Sequence, residues 1–73
     1  MIYEILNMHS QINHNEQVRL ILSRNDWETV IGKTDIIKVT DTGMLRIIRA
    51  NGKLTSVNPT HIVLACISEK GVY

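Results

Sequence analysis

Met44-Leu-Arg-Ile-Ile-Arg-Ala50, then Asn51-Gly52, then Lys53-Leu-Thr-Ser-Val57: the reading of this stretch decides the fold. Two runs with β-strand character flank a dipeptide that accepts φ > 0 at both positions. Asn-Gly between such runs is the strongest short-range signal for a hairpin closed by a two-residue type I′ turn. With Asn51 and Gly52 as the loop, Ala50 faces Lys53, Arg49 faces Leu54, Ile48 faces Thr55 and Ile47 faces Ser56. One face then holds Leu45, Ile47, Arg49, Leu54 and Ser56. The other holds Met44, Arg46, Ile48, Ala50, Lys53, Thr55 and Val57. Neither face is purely polar, so the sheet must close on itself or pack against a neighbour.

Upstream, Gln17 to Ser23 alternates cleanly, with Val18, Leu20 and Leu22 on one face and Arg19, Ile21 and Ser23 on the other. That is the pattern of a half-buried strand. Arg24-Asn25-Asp26 reads as a turn. Trp27 to Lys33 returns as a strand, and Gly32 near its end predicts a bend. Asp35 to Thr40 is the next strand, with Ile37 and Val39 on one face and Ile36 on the other. Asp41-Thr42-Gly43 predicts a type I turn with glycine in the left-handed position. Residues 1–16 form an N-terminal arm: Ile2, Ile5, Leu6 and Ile12 make a loose helical stripe, and a short helix or irregular arm is favoured over a strand because alternation fails at Ile5-Leu6.

Downstream, Asn58-Pro59-Thr60 interrupts the pairing, since proline donates no ladder hydrogen bond, and predicts a tight or 3₁₀-like turn. His61 to Ile67 is the last strand. Its apolar residues fall on both parities, which predicts a central strand or one sealed at an interface. Residues 68–73 read as a polar, frayed tail.

At 73 residues the chain is one small domain with a thin core. Phenylalanine is absent, and the aromatic residues are Tyr3, Trp27 and Tyr73. Isoleucine, valine and leucine supply the apolar surface, which suits strands. The expected architecture is mainly β: a small five-stranded antiparallel barrel or bent meander over residues 17–67, with a short N-terminal helix or arm.

The formal charge of +1 is no electrostatic footprint for nucleic acid or an anionic membrane. No apolar run approaches the ~20 residues that span a bilayer. The segment MIYEILNMHS lacks a basic start and carries Glu4, so it does not read as a signal peptide, and a cytoplasmic protein is expected. The single Cys66 sits in the run IVLACI and reads as a small buried hydrophobe.

No chemistry is signalled. His9, His14, His61 and Cys66 lack metal-ligand spacing. No carboxylate pair, nucleophile elbow or glycine-rich phosphate cradle is present. No enzyme activity, cofactor or small-molecule substrate is expected. The expected function is a non-enzymatic interaction or regulatory role, through self-association into a homo-oligomer or binding of a protein partner. A core this thin is often completed by a partner. Trp27, Ile62 and Leu64 are the candidate interface residues. The alternative is binding of RNA or DNA, with Arg46, Arg49 and Lys53 on the hairpin as contacts.

Three pieces of the chain carry a resemblance of layout. They are Val18-Arg-Leu20-Ile-Leu22, Trp27-Glu-Thr-Val-Ile-Gly32 and Asn58-Pro-Thr-His-Ile62-Val63. In order and connection these resemble the small β-barrels of the Sm-like and SH3-like kind, and the layout is also similar to YolD-like domains. The resemblance spans residues 17–67. It implies a ring or dimer joined by edge strands, with an RNA or protein partner. Sm-like proteins generally carry an Asp and an Asn in the central loop and an Arg-Gly before the last strand. Here Asn58-Pro59 precedes the last strand and Asp41-Thr42-Gly43 is only a turn, so no RNA-pocket residue is carried over.

Overall fold

The computed structural model describes residues 1–23 and 27–70. The turn expected at Arg24-Asn25-Asp26 and the end of the expected tail, Gly71 to Tyr73, lie outside the described residues. Helix α1 (Ile2–Gln11) leads into strands β1 (Glu16–Leu22), β2 (Glu28–Gly32), β3 (Ile36–Val39), β4 (Leu45–Ile48) and β5 (Leu54–Val57). A 3₁₀ turn (Pro59–His61) then delivers β6 (Ile62–Glu69).

The strands form two antiparallel three-stranded sheets, ordered β2-β1-β6 and β3-β4-β5. The fold is mainly β with an N-terminal helix, as expected, but the described ladders do not close into a barrel. Among the described residues there are six strands, one for each β-type run of the sequence, so the expected count of five is one short. The two sheets part at the turn after Gly32. Gly32 N–H donates to the Asp35 carboxylate at 2.9 Å, and Asp35 N–H returns to the Gly32 carbonyl at 3.2 Å. The chain therefore leaves the first sheet at β2 and starts the second at β3.

The organising hairpin forms, but in a different register. Arg49 N–H donates to the Lys53 carbonyl at 2.8 Å, and Gly52 N–H to the Arg49 carbonyl at 2.9 Å. The loop is thus Ala50-Asn51-Gly52, with Gly52 at φ +87° and the Asn51 side chain accepting from Lys53 N–H. This is a three-residue loop ending in a left-handed glycine, not the two-residue turn that Asn-Gly suggests. Leu45 now faces Val57, Arg46 faces Ser56, Ile47 faces Thr55 and Ile48 faces Leu54. A one-residue slip moves every side chain of β5 to the other face. It puts Val57 beside buried Leu45 and Ile47, and turns Leu54 outward. Burial of Val57 in place of Leu54 is what separates the two registers. The loop Asp41-Thr42-Gly43 has the same construction, with Gly43 at φ +85° and the Thr40–Met44 pair closing it.

The core is aliphatic throughout: Ile5, Ile12, Val18, Leu20, Ile31, Leu45, Ile47, Val57 and Ile62. Each side chain fully withdrawn from water contributes ~1.5–3 kcal/mol, before conformational entropy is set against it. Val18, Leu20 and Ile31 come from the first sheet, Leu45, Ile47 and Val57 from the second. Ile5 of α1 and Ile12 just beyond it lie one i,i+7 step apart and cover the interior, with Ile2 and Met8 packed beside them. A helix of ten residues is marginal alone, so packing is what holds it. His9 Nε2 also meets the Gly32 carbonyl at 2.9 Å, pinning the helix to the end of β2.

Of the two expectations for β6, a central strand or one sealed at an interface, the first is overturned. It is an edge strand, not a central one: β1 is its one partner among the described residues. The two-parity apolar pattern has a local cause. Ile21 pairs with Leu64 and Leu22 with Ile62, so Val63 is an extra residue in a β-bulge. The bulge switches parity, which lets Ile62 reach the core while Val63 and Leu64 stay exposed. Cys66 is half-buried on the outer face opposite Arg19, rather than buried.

Candidate functional site

Two features of the surface stand out: an apolar open edge, and a cross-sheet carboxylate clamp. The open edge is β6. From Ile62 to Ser68 it carries no charged residue, and Val63, Leu64 and Ile67 are 63%, 53% and 40% exposed. Edge strands are ordinarily guarded by charge, proline or short length. Among the other edges, β2 carries Glu28, β3 carries Lys38 within four residues, and β5 is four residues long. Here β6 is the longest strand, at eight residues, and its bulge lies at one end. On the outer face of this sheet Leu64 stands opposite Ile21, and the Arg19 guanidinium holds Glu28 at 2.6 Å nearby. That pairing draws the Glu28 carboxyl below its ordinary value.

A second apolar strip crosses the outer face of the other sheet. Ile36, Ile48 and Leu54 lie in one cross-strand row, with Ile36 and Leu54 exposed. The next row is Lys38, Arg46 and Ser56. Lys38 and Arg46 border a shallow open cleft of about 400 Å³, which Thr40, Asp41 and Thr42 also line.

The clamp joins the turns that leave β2 and β4. Asp35 Oδ2 accepts from Gly32 N–H at 2.9 Å and from Arg49 Nη1 at 3.1 Å, while Oδ1 accepts from Ala50 N–H at 3.2 Å. Arg49 Nη1 also donates to the Val30 carbonyl. The two side chains are 21% and 14% exposed, so much of the pair is withdrawn from water. Burial pushes the Asp35 carboxyl up, but the Gly32 amide, the Arg49 guanidinium and the Ala50 amide together hold it below its ordinary value. The clamp reads as architecture: it fixes the two sheets relative to each other.

The candidate interface residues therefore separate. Trp27 and Leu64 are exposed, and Ile62 is in the core. The three basic candidates separate too. Arg46 and Lys53 are exposed, whereas Arg49 is engaged by Asp35 and Val30. Sequence reasoning missed Val63 and Ile67 as surface residues because a bulge has no local signature here. It missed Asp35 as a hub because Arg49 and Ala50 reach it from fourteen and fifteen residues away.

Among the described residues no group of three or more His, Cys, Asp or Glu side chains is placed to hold a metal ion. No helix among them is long and apolar enough to cross a membrane. No protein family, curated protein or solved structure matches the chain.

Proposed function

We propose that this protein is a self-associating β module, working by contact with other polypeptides rather than by catalysis. The observation that carries the reading is the β6 edge, partly exposed and without a charged residue from Ile62 to Ser68. Leaving Val63, Leu64 and Ile67 in water forgoes burial energy that a thin core has reason to recover. An unguarded edge also exposes backbone donors and acceptors that a second strand would satisfy. The strand order and the 3₁₀ turn before the last strand keep the layout on which the resemblance to Sm-like and SH3-like barrels rests, although the described ladders do not close into a barrel. Edge-joined assembly is what that resemblance implies.

The test is size-exclusion chromatography with light scattering, with absorbance at 260 and 280 nm recorded across the peak. The reading expects a mass above that of one chain. It also expects Leu64→Asp, at an exposed position, to lower that mass while the far-ultraviolet dichroism is kept. Ile62→Asp, by contrast, places a charge in the core and unfolds the chain. A wild-type mass of one chain at high concentration would end the reading.

Nucleic-acid binding is the second reading, favoured by Lys38 and Arg46 standing side by side at the open cleft, with Lys53 exposed at the hairpin tip. It requires oligonucleotide affinity that falls steeply with added salt. Absence of binding at low salt removes it.

A further inference from the structure

We infer that two copies of this chain join through antiparallel β6–β6 pairing, with Ala65 opposite Ala65 on the two-fold axis. This rests on the self-association just proposed and specifies its geometry. Lys70 N–H donates to the Asn15 carbonyl at 2.8 Å, so the even-numbered residues of β6 after the bulge direct their backbone groups at β1. By alternation, Ala65, Ile67 and Glu69 direct theirs at the open edge. Those are the groups a second strand would engage.

Symmetry then restricts the register. A two-fold axis perpendicular to the sheet keeps the core side of one copy on the core side of the other, so opposed residues must share parity. Ala65 and Ile67 lie on the core side, opposite Leu20 and Val18, and Leu64 and Cys66 lie outside. Centring on Ala65 sets Val63 of one copy opposite Ile67 of the other, and Leu64 opposite Cys66. Every exposed apolar residue of the edge is matched with an apolar or thiol neighbour. The same register brings Glu69 of each copy to the end of β6 that carries His61 in the other. Centring one residue further along, on Cys66, would set Val63 against Glu69, and centring on Leu64 would set Ile67 against His61. Ala65, the smallest side chain of the run, is then the residue that meets its own copy on the axis.

The register makes a covalent prediction. Opposed residues in a hydrogen-bonded antiparallel pair have Cα atoms about 5.5 Å apart, within the range a disulfide spans. The two native Cys66 side chains are diagonal neighbours at about 7–8 Å, outside it. In a Cys66→Ala background of the full chain, Ala65→Cys is oxidised mildly and run on non-reducing gels. A mixture of Val63→Cys and Ile67→Cys chains, each in the same background, is treated likewise. The inference expects a disulfide-linked dimer from Ala65→Cys, mixed dimers from the second pair in excess of either homodimer, and none from native Cys66. Dichroism confirms that each variant folds. If light scattering gives an assembly but these cysteines stay unlinked, or if Ile67→Cys links to itself, the register is wrong and self-association stands. If Ala65→Cys links instead to a cysteine placed at Ile36 or Leu54, the pairing is head-to-tail and the two-fold arrangement is wrong. If the mass is that of one chain, both fall together.

Discussion

Replacing Asp35 by alanine tests whether the two sheets are held by one carboxylate. Three donors converge on it: Gly32 N–H, Ala50 N–H and the Arg49 guanidinium. Hydrogen bonds to charged groups contribute about 1.5–3 kcal/mol each. Water reaches this site in part and would re-solvate some of the donors, so the contributions do not add fully. We expect Asp35→Ala to cost about 2–4 kcal/mol. At 73 residues the whole fold has ~4–11 kcal/mol to lose. Asp35→Asn should cost less, since its carbonyl can still serve Gly32 and Arg49. Its amide would nevertheless face the Ala50 donor. The assay is urea unfolding followed by dichroism at one fixed protein concentration, with Arg49→Met and the double variant completing a cycle. Glu28→Ala, which breaks the more exposed pair with Arg19, is the control and should cost clearly less than Asp35→Ala. An Asp35→Ala variant no less stable than that control would refute the clamp.

Acid should reveal the same carboxylate. Its folded-state pKa lies below the ordinary 3.8, so its contribution is complete above that value and is lost as pH falls through the folded-state one. Wild-type stability should therefore drop below about pH 4 more steeply than that of Asp35→Asn in acid titrations followed by dichroism. Gly52→Ala should cost about 1–2 kcal/mol in urea, through left-handed strain alone, because a Cβ there meets nothing within 4 Å. Ile47→Ala, fully buried between the sheets, should cost about 2–5 kcal/mol and lower the thermal midpoint accordingly.

The elements that were legible in the sequence are those with strong local signals. Val18, Leu20 and Leu22 alternate, and the first two are fully buried. Asn58-Pro59-Thr60 makes the expected 3₁₀ turn, with Asn58 Oδ1 capping Thr60 N–H at 3.1 Å. Asp41-Thr42-Gly43 closes as read. The hairpin shows where local reading stops. Asn51-Gly52 suits a two-residue loop, but that register buries Leu54 and exposes Val57. The longer loop is selected by packing across the sheets, which no dipeptide encodes. Strand β6 fails for a related reason. Apolar residues on both parities describe a central strand and a bulged edge strand equally well, and only pairing distinguishes them. The Asp35 clamp is a contact of distant residues and leaves no periodic trace.

Residue-resolved amide hydrogen exchange on β6 tests the proposed role of the open edge most directly. If that edge is where copies meet, the amides of Ala65 and Ile67 are strongly protected in concentrated protein, and their protection weakens on dilution as the assembly comes apart. Rapid exchange at both positions in concentrated protein, beside slow exchange at the β1-bonded amide of Cys66, would show an edge that no partner covers.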